Sequence, residues 1–404
     1  MTTKLVLHIG LDKTGTTAIQ KFMADNAGLF LREGILYPLT GRYPSYQHHG
    51  LFAHIATSPS TRRYAQIGTS WKGLLKALNA EIRKKRPSTV LLSSEILSQG
   101  VDMAALKELT SNFTITSIIF YLRRQDDYLA SVYTQTVKSG GEFHQFDLAN
   151  LPNADFLRLC TTWAEFVGDS QLHVRRYGRQ FLKDSNLISD FLDCTLGRSL
   201  TDKMAVDRRN YNPRLTNDAL EFKRLINLCC PISVSHLFIG PLLHASYEQD
   251  ADSASDFSTN SLLRTEARSK IIQQYEATNR EVARRFLEQS NGPLFDSDSM
   301  STRSVANYAG LTNAKAAFLM SQLIDTFSDR GAAAPPIRPA LARVLLRMLE
   351  MMSLNLLPDL ELQNRESDTD GIRLRLSADA VSRGLAIKAT IGNLLLAGTG
   401  AYQT

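Results

Sequence analysis

Apolar positions in the first two hundred residues alternate between two rhythms. The opening stretch KLVLHIGLDKTGTTAIQKFMADNAGLF starts with a short continuous apolar run. It then shifts to helical spacing at Ile19, Phe22 and Met23, less regularly reaching Leu29 and Phe30. This predicts strand, loop, helix. A second strand is predicted over Thr89–Glu95, after an amphipathic segment from Trp71 to Arg86. A third over Ile115–Leu122 precedes the helical positions Tyr128, Ser131, Val132 and Gln135. A fourth over Gln171–Tyr177 precedes a helical stretch at Leu187–Leu192. Near-continuous apolar strands separated by helices predict an α/β fold with a parallel sheet covered on both faces.

Beyond about residue 210 the strand signal fades, and Asp218–Leu228 and Leu262–Leu287 carry helical spacing. The stretch GAAAPPIRP at 331–339 is a break, followed by an amphipathic pattern over Ala340–Leu357. The expected organisation is one domain over 1–300 and a mainly helical extension over 301–404. That extension could cover a cleft, bind a partner or form a homodimer contact.

Composition supports a globular chain: 404 residues, 43% hydrophobic and 21% charged with both signs mixed. A net charge of +6 favours anionic partners. Nucleic acid is not expected, because zinc-finger spacing, heptads and RNA-recognition signatures are absent. The basic run Arg83–Arg86 suits a helix C-terminus. The four cysteines lack metal spacing and are expected to be reduced, and the remaining histidines have no ligand spacing, so no metal is expected. The apolar run at Leu5–Leu11 is too short and polar for a signal peptide or membrane span, and a cytoplasmic location with no transmembrane segment is expected.

The strongest chemical signal is Gly10-Leu11-Asp12-Lys13-Thr14-Gly15-Thr16-Thr17, between the first strand and the first helix. Glycine permits a tight turn, the helix start offers N–H groups and a positive dipole end, and Lys13 adds a full charge. Thr14, Thr16 and Thr17 add hydroxyls, so the segment suits a phosphate or sulfate. The Walker order, with lysine after the second glycine, is not followed: Lys13 precedes Gly15. A second constellation places Arg123 at a strand end and Ser131 on the next helix, where both could reach a phosphate at the ligand-binding edge of the sheet.

In this order the segments resemble the PAPS-dependent sulfotransferases, which use 3'-phosphoadenosine-5'-phosphosulfate as donor. LHIGLDKTGTT is similar to the family's 5'-phosphosulfate loop, and YLRRQDDYLAS to its 3'-phosphate segment with Arg123 and Ser131. VLLSSE is similar to the acceptor-side strand, and HVRRYGRQFL to a strand whose tyrosine, here Tyr177, lies near the nucleotide. By position, Arg208 and Arg209 fall where a basic loop of the family closes over the 3'-phosphate, although the family's Arg-Lys-Gly form is absent. The H-x-G-x-x-K-T-G-T-T opening looks most like bacterial and carbohydrate-modifying members. The resemblance implies transfer of a sulfuryl group to a hydroxyl of a carbohydrate or glycolipid, releasing 3'-phosphoadenosine 5'-phosphate without a metal. It implies Glu95 as the base, with His48 or His49 of QHHGL as alternatives. A P-loop kinase of a small molecule or sugar, and a non-catalytic nucleotide-binding member of the fold, stay open beside it.

Overall fold

The computed structural model describes residues 3–65, 68–147, 152–196, 214–249, 263–287, 292–295 and 308–329. The chain begins with β1 (Thr3–Ile9), α1 (Thr16–Asp25), α2 (Ala27–Arg32) and β2 (Ile35–Leu36). The short helices α3 (His49–Phe52) and α4 (Pro59–Arg62) lead to the long α5 (Trp71–Lys85) and to β3 (Thr89–Ser94). Then come α6 (Ile96–Gln99), α7 (Met103–Thr110), β4 (Phe113–Leu122), α8 (Gln125–Gln135), α9 (Phe156–Val167), β5 (Leu172–Arg176) and α10 (Leu187–Leu196). Among the described residues, the elements after α10 include the helices α11 (Asn217–Cys229), α12 (Ile232–Ser235), α13 (Ile239–Gln249), α14 (Thr265–Phe286) and α15 (Asn313–Asp329).

All strand pairings are parallel, in the order β2-β3-β1-β4-β5, so β1 is central. The run from Leu5 to Ile9 is buried at every position, as is the run from Val90 to Ser94. Unbroken burial rather than alternation means that both faces of the sheet are covered, which is why these strands read as continuous apolar runs. The α/β class and the largely helical second half match the sequence expectation.

Several helices begin with side-chain caps, among them α11, where Thr216 accepts from Ala219 N. Ser70 accepts from Gly73 N, Asp102 from Ala104 and Ala105 N, and Asp155 from Leu157 and Arg158 N, each satisfying donors that a helix start leaves open. The basic end of α5, Arg83 to Lys85, sits at the negative end of its dipole, and Arg86 closes it in the left-handed region.

The chain divides into two compact units. The first comprises Met1–Tyr128, Asn153–Tyr211 and Glu266–Ser304 and holds the whole sheet. Within it, Arg268 on α14 pairs with Asp126 and Asp127, and the carboxamides of Gln125 and Asn279 bond each other reciprocally at 2.6 and 3.0 Å. The second comprises Leu129–Pro152, Asn212–Thr265 and Val305–Thr404, with a core that includes Phe222, Leu225, Phe238, Leu242, Leu319 and Leu323. The expected boundary near residue 300 and the pattern at Ala340–Leu357 lie outside the described residues. No described helix is long and apolar enough to cross a membrane.

Candidate functional site

Four residues of interest immediately follow four strands. Gly10 follows β1, Glu95 follows β3, Arg123 follows β4 and Tyr177 follows β5. In a parallel sheet these positions share the carboxyl edge. The central crevice there, between β1 and β4, is where loops diverge to opposite sides and where α/β sheets hold ligands.

The loop from Gly10 to Gly15 is tightly specified. Lys13 and Gly15 both have left-handed φ, at 66° and 78°. A Cβ on Gly15 would lie 2.3 Å from Leu187 Cδ2 and 3.2 Å from Tyr177 Cε2, so glycine is required twice over, by conformation and by space. Gly15 also serves as the N-cap of α1 without any side-chain cap bond; its carbonyl accepts from Ala18 N at 3.0 Å and Ile19 N at 3.3 Å, and the Thr16 and Thr17 N–H groups have no acceptor among the described residues.

Arg123 spans the crevice. Its Nη1 donates to the Lys13 carbonyl at 3.2 Å, and its guanidinium lies 5.7 Å from the centre of the Tyr177 ring. Arg123 and Tyr177 are both buried, at 6% and 8% exposure. Lys13, Gly15, Arg123 and Tyr177 therefore lie together at this edge of the sheet. Ser131 is half-buried on α8, in a stretch belonging to the second unit. Arg208 and Arg209 lie outside the described residues.

The three threonine hydroxyls do not behave alike. Thr14, fully buried, donates to Leu11 O at 2.7 Å and braces the loop itself. Thr16 donates to Glu95 Oε1 at 2.6 Å. The Thr17 hydroxyl has no partner among the described residues and is half-buried at the helix start. Spacing places all three near an anion; only the backbone geometry distinguishes their aims.

Glu95 sits in a polar cluster of its own. Besides Thr16, it accepts from Gln20 Nε2 at 2.9 Å through Oε2, and His49 Nε2 faces the same oxygen at 3.4 Å. His49 Nδ1 meets Ser94 Oγ at 2.8 Å, and its ring packs against Tyr64. Burial pushes the His49 pKa down, against the pull of the Glu95 charge. His48 differs. Its Nδ1 accepts from Ser93 N at 3.2 Å and its Nε2 bonds the Pro38 carbonyl at 3.0 Å, so no ring nitrogen is left to take a proton. Fully buried, its pKa is depressed to about 3. Of the two alternative bases at QHHGL, only His49 reaches Glu95.

Asp12 is a site residue that the motif did not single out. It accepts from Gln99 Nε2 at 3.2 Å, and burial, with the nearby Glu95 charge, raises its pKa to about 6 despite the opposing charge of Lys13. Burial and the Asp12 charge also raise the Tyr128 phenol. A carboxylate inside an anion loop was visible in the sequence; its closeness to Glu95, far along the chain, was not. His8 has Nδ1 on Ser93 Oγ at 2.8 Å but no partner at Nε2 among the described residues, and burial depresses its pKa to about 4.

Comparison with known proteins adds little to this geometry. No family model matches the chain and no solved structure matches it. An uncharacterized protein of Archaeoglobus fulgidus is 26% identical over 180 residues, which is 45% of this chain and 48% of that relative. The match thus spans about half the length of the relative.

Proposed function

We propose that the chain is a sulfotransferase that moves a sulfuryl group from PAPS to a hydroxyl, with a carbohydrate or glycolipid as the acceptor. The observation that carries this reading is the convergence of Lys13, the start of α1, Arg123 and Tyr177 at one crevice, with Glu95 one strand away. The Arg123 guanidinium, the Lys13 charge carried by the same loop and a helix start with open N–H groups suit a donor bearing two anionic groups, and a nearby carboxylate suits an acceptor that must lose a proton.

In the reaction the acceptor oxygen attacks sulfur in line. The new O–S bond forms as the bond from sulfur to the 5'-phosphate oxygen breaks, and the electron pair leaves with 3'-phosphoadenosine 5'-phosphate. Lys13 and the first-turn N–H groups meet the charge growing on that leaving oxygen. The acceptor proton goes to Glu95, whose Oε1 is engaged among the described residues by Thr16 alone and so keeps a lone pair for it. On this reading the half-buried Thr17 hydroxyl donates to the sulfuryl or phosphate oxygens. Positioning and fixed charge supply most of the rate, as in phosphoryl transfer. No bound metal is invoked in this step.

Calorimetry with 3'-phosphoadenosine 5'-phosphate, with and without EDTA, tests the donor assignment. Wild type is expected to bind in both conditions, and Lys13→Ala and Arg123→Ala to weaken binding by roughly 100-fold each, the scale of a lost charge-assisted contact. Failure of wild type to bind, with ATP and Mg²⁺ binding instead, would overturn the assignment in favour of a kinase.

A further inference from the structure

Thr16 and Gln20 stand one turn apart on α1, which places their side chains on the same face of the helix. Both donate to Glu95: Thr16 Oγ1 to Oε1 at 2.6 Å and Gln20 Nε2 to Oε2 at 2.9 Å. Gln20, only 1% exposed, also donates to Ser93 Oγ at 3.1 Å, and Ser93 in turn meets the core residue His8. Glu95 is the N-cap residue of α6, yet its carboxylate does not cap that helix. It turns back toward α1 instead. Room for this turn comes from Gly10, where a Cβ would lie 2.8 Å from both Glu95 Cγ and Thr16 Cγ2.

We infer that Thr16 and Gln20 are positioning residues that lock the Glu95 carboxylate to the helix presenting the anion loop, so that donor and base ride on one rigid element. The inference rests on the sulfotransferase reading for its chemistry, but the lock itself is a geometric claim. It reassigns the Thr16 hydroxyl from the donor to the base, leaving only the Thr16 backbone N–H at the loop. Because the first turn of α1 faces the donor and its inner face holds Glu95, any shift of α1 on donor loading is passed to the carboxylate. A hydrogen bond to a carboxylate at 2.6 Å is among the stronger kind, and two from one helix fix both the position and the tilt of the group. Misplacement of a base by about 1 Å costs turnover on the order of 100-fold, which is what such a lock prevents.

The test uses the full chain labelled with [5-13C]glutamate, and infrared difference spectra in which the Glu95 band is identified by its loss in Glu95→Gln. Thr16→Val removes the hydroxyl at constant shape, Thr16→Ser restores it, and Gln20→Leu removes the second donor. In the free protein the Glu95 band is expected to move in Thr16→Val and Gln20→Leu and to stay in place in Thr16→Ser. Loading with 3'-phosphoadenosine 5'-phosphate should shift the band in wild type and Thr16→Ser but not in Thr16→Val. Calorimetric affinity for that nucleotide should stay within about threefold of wild type in Thr16→Val, as expected when a group outside the contact set is changed. An unmoved band in Thr16→Val, or a large loss of nucleotide affinity there, would overturn the lock and return the hydroxyl to the anion. If wild type does not bind the nucleotide, the donor reading fails, and the free-protein bands still decide the lock. Should Gln20→Leu not fold, the Thr16 pair carries the decision alone.

Discussion

Each unit contains a cluster of buried polar side chains, and the two clusters differ in whether they close. In the second unit, Lys223 and Arg224 are both buried, at 0% and 1% exposure. Lys223 donates to Asn227 and Ser235, Arg224 pairs with Glu221 and donates to Phe143 O, and the Asn227 amide donates to Val137 O and Glu142 O. These bonds tie α11 to the turn that follows α8. In the first unit, bonds from Thr16, Gln20 and His49 converge on Glu95 from one side, and its side chain stays 12% exposed. A closed network of this kind determines which segments pack together, whereas an open one holds a reactive group toward something that has yet to arrive.

The contrast predicts where each kind of damage appears. Asn227→Leu strips a buried and a half-buried carbonyl of their donor and is expected to cost about 3 kcal/mol, read as a lower urea midpoint. A cost below about 1 kcal/mol would mean that the cluster is not closed after all. Gly15→Ala forces a side chain into the left-handed region and against Leu187, and about 2 kcal/mol of destabilisation should accompany loss of nucleotide binding. Calorimetry and thermal melting together show whether the open site suffers more than the fold does.

Acid reads the first unit again. The buried histidines His8 and His48 have pKa values depressed to about 4 and about 3, below the ordinary 6.5, so unfolding takes up protons. Their contribution to stability is present above pH 6.5 and is lost as pH falls toward 4, by up to about 1.4 kcal/mol per pH unit for each. Asp12 runs the other way: raised to about 6, it favours the folded state increasingly as pH falls from 6 toward 4. Urea midpoints of His8→Leu against pH should show a shallower acid limb than wild type, and an identical limb would remove His8 from the account.

A smaller effect belongs to ligand binding. Asp12→Asn removes a negative charge from the anion loop and should tighten binding of 3'-phosphoadenosine 5'-phosphate at pH 7.5 by roughly fivefold. It should also flatten the rise in wild-type affinity as pH falls through 6, measured by calorimetry across pH. Smallest of all, Lys223→Met exchanges a buried cation with only neutral partners for a side chain of similar length. It should change stability by less than about 1 kcal/mol, because the desolvation of the ammonium offsets its bonds.

The elements that the residue pattern predicts well are those whose burial is continuous. Val90 to Leu92 and Ile118 to Leu122 are buried on both faces and stand out as apolar runs, and α5, α11 and α14 carry clear helical spacing. The two-residue strand β2 is too short for any periodicity to show, and Leu29 and Phe30 belong to a separate α2 rather than to an irregular end of α1. At the site, the turn from Gly10 to Gly15 between β1 and α1 is legible because turn chemistry is local. The aims of Thr14 and Thr16 were not legible, since they depend on a carbonyl three residues back and a carboxylate 79 residues on. His48 and His49 are neighbours in the chain with opposite fates, decided by the Pro38 carbonyl and the Ser94 hydroxyl.

The reciprocal amide pair of Gln125 and Asn279 joins positions 154 residues apart, and Arg268 reaches Asp126 across 142. A ribosome delivers this chain from one end, at about 5–20 residues per second, so the sheet and its anion loop exist for several seconds before α14 emerges. Until then the carboxamide of Gln125, fully buried in the finished fold, lacks its Asn279 partner, and the equally buried carboxylate of Asp126 has Arg124 without Arg268. The late helix is therefore a closing piece. A chain cut after α10 would retain the whole anion loop and the whole sheet, and yet expose the groups that α14 was made to cover.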